Sequence, residues 1–80
     1  MGLPELLDKV SDRESFLAFV RALVADRKVA DGWENDSIEQ FLEAALAWAQ
    51  DSKFGDTQGL SDASPWKRFA VFLYSGKIYE

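Results

Sequence analysis

Glu39 and Glu43 stand four residues apart in the stretch DGWENDSIEQFLEAALAWAQD, residues 31–51. Carboxylates at i and i+4 share a helix face. Such a pair can divide general acid from general base work when an apolar pocket pushes the two pKa values apart. Both glutamates, however, fall off the apolar stripe of their segment, where solvated acids fall, and they are expected to face water. Other candidates for chemistry are fewer. The chain has no histidine and no cysteine, so it lacks the commonest general base, the commonest neutral metal ligand and every thiolate. A zinc site would need carboxylates alone. Asp56 and Asp62 bracket a glycine in DTQGLSD, but the oxygen ladder and closing glutamate of a calcium loop are missing. The serines have no base partner, and no glycine-rich phosphate loop occurs. The expectation is a protein that is not an enzyme and holds neither cofactor nor metal.

Binding chemistry is better represented. Asp31, Glu34, Asp36, Glu39 and Glu43 follow one another with no basic residue between them, and Trp33 lies in their midst. Asp36 and Glu39 suit the positive start of a helix, a contribution of roughly 0.3–1 kcal/mol each. Asp31, Glu34 and Glu43 are left over. The cluster is either a solubilising face or, beside Trp33, a docking site for a basic protein. Trp33 itself is either a lid over a helix junction or an exposed anchor of the residue type most enriched at interface hot spots. The candidate partner-binding residues are therefore Asp31, Trp33, Glu34, Glu39 and Glu43. A net charge of −5 argues against nucleic acid, which needs basic residues to displace counterions, and against anionic membrane surfaces. A different reading uses the aromatic segment 65–75 as a small-molecule or peptide binder, which a void between Trp66, Phe72 and Tyr74 would support. The oligomeric state is open.

The elements that must position these residues are helical. Eighty residues make one small domain, here expected to be an all-α domain of three main helices at about 12–28, 36–51 and 65–75. A short leading turn at PELLDKV is allowed by Pro4 at a first helical position. In the first helix, Ser11 and Glu14 have the spacing of a capping box. Phe16, Leu17, Val20, Leu23 and Val24 form an apolar stripe, which Phe19 widens. In the second, Asp36 and Glu39 repeat the capping-box spacing, and Ile38, Phe41, Leu42, Ala45 and Trp48 supply the core side. Its alanines favour helix and allow close approach. The third opens with Ser64 as cap and Pro65 inside it, and closes with Gly76 beyond its end. It gives Trp66, Phe69, Ala70 and Leu73 to the core, although FAVFLY also reads as a buried strand. Residues 52–63 are a loop, with Phe54 and Leu60 as anchors. Arg27 projects from the apolar stripe of the first helix. Either the helix frays and the side chain snorkels, or Arg27 pairs with an acid such as Glu80. No apolar run approaches a membrane span and the N-terminus does not read as a signal peptide, so a cytoplasmic protein is expected.

The patterns W-x-N-x-S-I-x-x-F-L (Trp33–Leu42), A-W-A-x-D (Ala47–Asp51), P-W-K-x-F-A (Pro65–Ala70) and the final Tyr79-Glu80 occur together with S-D-R-E-S-F-L-x-F (Ser11–Phe19). Over roughly residues 10–80 the chain resembles a family of short bacterial proteins known as a domain of unknown function. The resemblance implies a bacterial source and a helical domain, and it brings no catalytic residue. Small size and acidity are also shared with immunity proteins of bacterial toxin systems, an analogy that gives an inhibitor role as the sharpest form of the protein-binding reading.

Overall fold

The computed structural model describes residues 2–29, 33–35, 37–60 and 62–79. Four helices follow in order: α1, Leu3–Asp8; α2, Arg13–Val29; α3, Ile38–Asp51; and α4, Pro65–Ile78. A 3-10 turn at Asp56–Gln58 lies in the connection between α3 and α4. No strand occurs among the described residues, so the all-α expectation holds and FAVFLY is helix. The leading turn is a real helix, although Pro4 sits at its second position rather than its first.

The starts of the helices follow capping chemistry, with two changes of residue. Asp12, not Ser11, caps α2. Its carboxylate accepts from the Ser15 N–H at 2.9 Å, and Ser15 Oγ accepts from the N–H of Ser11 at 2.9 Å and of Asp12 at 3.1 Å. This is the reciprocal arrangement expected of Ser11 and Glu14, moved by one residue. A carboxylate at the cap position meets the helix dipole with a full charge, which a serine cannot do. The Ser15 hydrogen bonds hold the Asp12 carboxyl below its ordinary pKa. At α3 the cap is Ser37, whose Oγ accepts from the Gln40 N–H at 3.0 Å; Asp36 lies outside the described residues. Ser64 caps α4 as read from the sequence, accepting from the Lys67 N–H at 3.2 Å.

The larger departure concerns packing. Three helices that close a triangle bury three facing stripes. Here α4 lies between α2 and α3, and those two do not meet. Parallel α2 touches one side of α4 through Phe16–Trp66 and Phe19–Tyr74 ring contacts and the Asp26–Lys77 pair. Antiparallel α3 touches the other through Phe41 at Gly76, and Phe54 beyond its end lies against Phe69 and Phe72. The result is a slab, 33 × 26 × 15 Å. One broad face is covered. There Leu3 of α1 and Val10 just beyond its end enter a cluster with Phe19, Leu23 and Ala70, and Lys67 donates to the Leu7 carbonyl at 2.7 Å. Six residues expected in the core are therefore exposed: Leu17, Val24, Ile38, Leu42, Trp66 and Phe69. Their stripes point to the other face, where no fifth element of the described chain lies. Leu23, Ala45, Trp48 and Ala70 are buried as expected, and Phe16, Val20, Phe41 and Leu73 are half-buried.

Gly76 does not end α4, which runs two residues further. It is buried inside the helix, where an added Cβ would stand 2.6–2.8 Å from three atoms of the Phe41 ring. A glycine here serves close approach rather than helix termination. The α3–α4 connection turns through consecutive left-handed residues, Lys53, Phe54 and Gly55. That conformation is unfavourable for the first two. It delivers the Phe54 ring into contact with Trp48, Phe69 and Phe72, which makes Phe54 the anchor foreseen for this loop. No helix among the described residues is long and apolar enough to cross a membrane.

Candidate functional site

Trp33 sits where α2, α3 and α4 come to the same end of the slab. Its indole N–H donates to Asp26 of α2 at 2.7 Å, and Lys77 of α4 donates to the same carboxylate oxygen at 2.8 Å. One indole face stacks on Phe41 of α3, with centroids 6.1 Å apart. The Arg27 guanidinium and the Lys77 ammonium stand 5.6 and 5.7 Å from the ring centroid, within reach of cation–π attraction. Hydrogen bonds from Lys77 and then from Trp33 hold the Asp26 carboxyl below its ordinary pKa.

The residues after Trp33 complete the junction. Helix α4 ends with carbonyls that its own backbone cannot satisfy. The N–H groups of Glu34 and Asn35 donate to the Lys77 carbonyl at 3.2 and 3.3 Å. The Asn35 side chain donates to the carbonyls of Gly76 and Tyr79 at 3.2 and 3.0 Å. Tyr79 then lies along α3, its hydroxyl donating to Asp51.

A family of unknown function (DUF7660) matches residues 12–80. The chain belongs to this family. Comparison with curated proteins and with solved structures gave no match. Within this family member the pattern W-x-N-x-S-I-x-x-F-L has a structural meaning at each fixed position but two. Trp33 bridges three helices, Asn35 closes α4, Ser37 opens α3, and Phe41 fills the space that Gly76 leaves. Ile38 and Leu42 are the exceptions, because they are 76% and 55% exposed.

Two adjoining hollows flank Trp33. One, of about 440 Å³, is bordered by Arg27, Trp33, Asn35, Ile38, Phe41 and Leu42. The other, of about 370 Å³, is bordered by Leu23, Val24, Arg27, Lys28, Trp33 and Phe41. Trp33 is half-buried beneath Arg27, so it packs as the lid over the helix junction while leaving part of its surface to these hollows. Arg27 lies within α2 and reaches over Trp33, so the helix does not fray before it; Glu80, the acid named in the alternative reading, lies outside the described residues.

The acids are distributed around this end. Glu34 is exposed next to Trp33, and Glu39 and Glu43 are exposed on the outer edge of α3, one turn apart. Asp31 lies outside the described residues. Trp33 and the α3 acids are thus neighbours along one rim rather than one cluster, with Ile38 and Leu42 between them. Asp56, weighed as a calcium ligand, forms an ion pair with Arg68 at 3.0 Å. The rings proposed to line a ligand void are directed to separate neighbours: Trp66 to Phe16, Phe72 to Phe54 and Tyr74 to Phe19. Sequence reasoning missed Asp26 and Lys77. Neither stands in a motif, and they meet only because α2 and α4 run parallel.

Proposed function

We propose that this domain is a non-enzymatic protein-binding module, contacting its partner through the uncovered face of the slab and the rim of Glu34, Glu39 and Glu43 beside Trp33. One observation carries the reading. Large apolar side chains of α2, α3 and α4, patterned in the sequence as core, are exposed together on one face. Contiguous apolar surface with a polar rim is the usual composition of a protein contact. The acidic rim selects for basic residues on the partner, and an inhibitor-like role is the sharpest form of this reading. A bacterial cytoplasmic setting belongs to the same proposal. The absence of histidine and cysteine supports the non-enzymatic part.

The test compares proteins captured from the native host by the wild type, by Leu42→Asp on the uncovered face, and by Ala18→Asp, a control at an exposed position of α2 away from that face. Loss of the captured proteins with Leu42→Asp alone, at unchanged helical content, is the expected result. Equal capture by all three removes the proposal.

A further inference from the structure

The uncovered face poses a question of occupancy. Among the described residues, Leu17 and Val24 of α2, Phe69 of α4, and Ile38, Leu42 and Leu46 of α3 are between 37% and 76% exposed. Helical register puts all six on the side of the slab opposite α1. Val24, Ile38 and Leu42 also border the two hollows that share Trp33 and Phe41. On the α1 side a second layer covers α2 and α4, whereas on the opposite side no helix of the described chain lies over them. Helical domains bury their stripes between two layers. The broad face measures 33 × 26 Å, close to the roughly 800 Å² that each partner gives to an ordinary stable interface.

Charge singles out one occupant. The outer edge of α2 beside this face carries Arg21 and Lys28, in register with Leu17 and Val24 at a spacing of three or four residues. The outer edge of α3 carries Glu39 and Glu43. The two edges are therefore opposite in sign. Their levels also correspond, because Arg27 near the end of α2 and Ile38 at the start of α3 border the same hollow. A two-fold axis lying in the face and parallel to α4 carries α2 of one copy onto α3 of the other. That operation sets Arg21 and Lys28 against Glu39 and Glu43 twice over, while Phe69 meets its own counterpart near the axis. A surface whose halves complement each other is what an isologous dimer requires.

We infer that the face is covered by a second copy of this chain, in a two-fold dimer with α4 along the axis. This rests on the protein-binding reading above and names its partner: the basic residues that the acidic rim selects are those of α2 in the second copy. The apolar centre supplies the burial, and the charged edges fix the register and exclude the alternative in which α2 lies on α2.

The experiment is sedimentation equilibrium of the full chain over a concentration series reaching the high micromolar range. The expected result is reversible doubling of the 9.0 kDa mass. Leu42→Asp leaves a monomer of unchanged helical content. Two charge variants guard against misfolding as the explanation, since both change only exposed residues. Glu39→Lys with Glu43→Lys, and Arg21→Glu with Lys28→Glu, each weaken self-association by at least about tenfold, and an equimolar mixture of the two forms a mixed dimer. A wild type that stays monomeric throughout overturns the dimer. So does a dimer indifferent to Leu42→Asp, or charge variants that fail to pair when mixed. If the wild type is monomeric and Leu42→Asp still loses captured host proteins, the dimer fails and the protein-binding reading stands on a different partner. If capture is unaffected as well, both fail.

Discussion

Helix α4 presents two apolar faces with opposite fates. On one, Ala70 is wholly buried under α1 and α2, in the cluster of Leu3, Val10, Phe19 and Leu23. On the other, Phe69, its immediate neighbour in sequence, is 48% exposed. The larger side chain has the more to gain from burial and receives less of it. The difference teaches that apolar periodicity marks which positions require cover, while the cover itself is decided by which helices touch. The six residues of α1, with Val10 just after them, cover this cluster because they reach both α2 and α4. Helix α3, more than twice as long, seals nothing on the opposite face because it lies beside α4 rather than over it.

Four measurements break or sharpen that contrast. The largest effect is expected on the sealed side. Phe19 is fully buried, and Phe19→Ala is expected to cost about 3–5 kcal/mol in a denaturation series, enough to leave little folded protein. A small loss would mean that the α1 cover is dispensable. Next comes the α3–α4 seam, where Gly76→Ala forces a methyl group against the Phe41 ring. Overpacking of this kind costs about 1–3 kcal/mol, against the usual gain from replacing a helical glycine by alanine. A net stabilisation would show that Phe41 can yield.

The third measurement is a pH series on Asp26. Its carboxyl lies below the ordinary value of 3.8 in the folded chain. Its contribution is thus present above that value and is lost as pH falls through the lower folded-state pKa. Asp26→Asn is expected to be less stable than the wild type near neutrality. The two curves should converge in acid, below the ordinary carboxylate range. Parallel curves at all pH values would mean that Lys77 and Trp33 do not favour the charged form. The smallest effect belongs to the uncovered face. Ile38→Ala, at a position 76% exposed, is expected to change the stability of the chain in dilute solution by no more than about 0.5 kcal/mol. A large loss in dilute solution would show that the face is covered from within the chain.

Much of the local structure was legible. Ser64 and Pro65 open α4 as their chemistry demands, Ala44 and Ala45 of α3 are buried, and all three long helices lie within a few residues of their expected bounds. Two signals misled for definable reasons. Ser11 and Asp12 each stand three residues before a residue able to complete a capping box, and spacing alone does not rank a hydroxyl against a carboxylate. Gly76 carries the composition of a terminator, and only the position of Phe41, thirty-five residues earlier, shows that its missing side chain is a space filled by another. At the candidate site, Trp33 and the acids were visible as residue types, but the Asp26–Trp33–Lys77 junction is a product of the parallel α2–α4 pairing, which no local pattern encodes. The open face was the least legible feature, since a sequence written for burial reads the same whether the cover comes from within the chain or from outside it.

The central place of α4 also bears on the order of synthesis. It is made after α2 and α3, and among the described helices it is the one that both of them touch. During translation, where earlier segments emerge and begin to fold first, α2 has the short α1 to lean on, and α3 has no helix, only the rings of Trp33 and Phe54. Asn35 and Trp33 likewise wait for Gly76, Lys77 and Tyr79. The nascent chain therefore carries two long apolar stripes in water until α4 emerges.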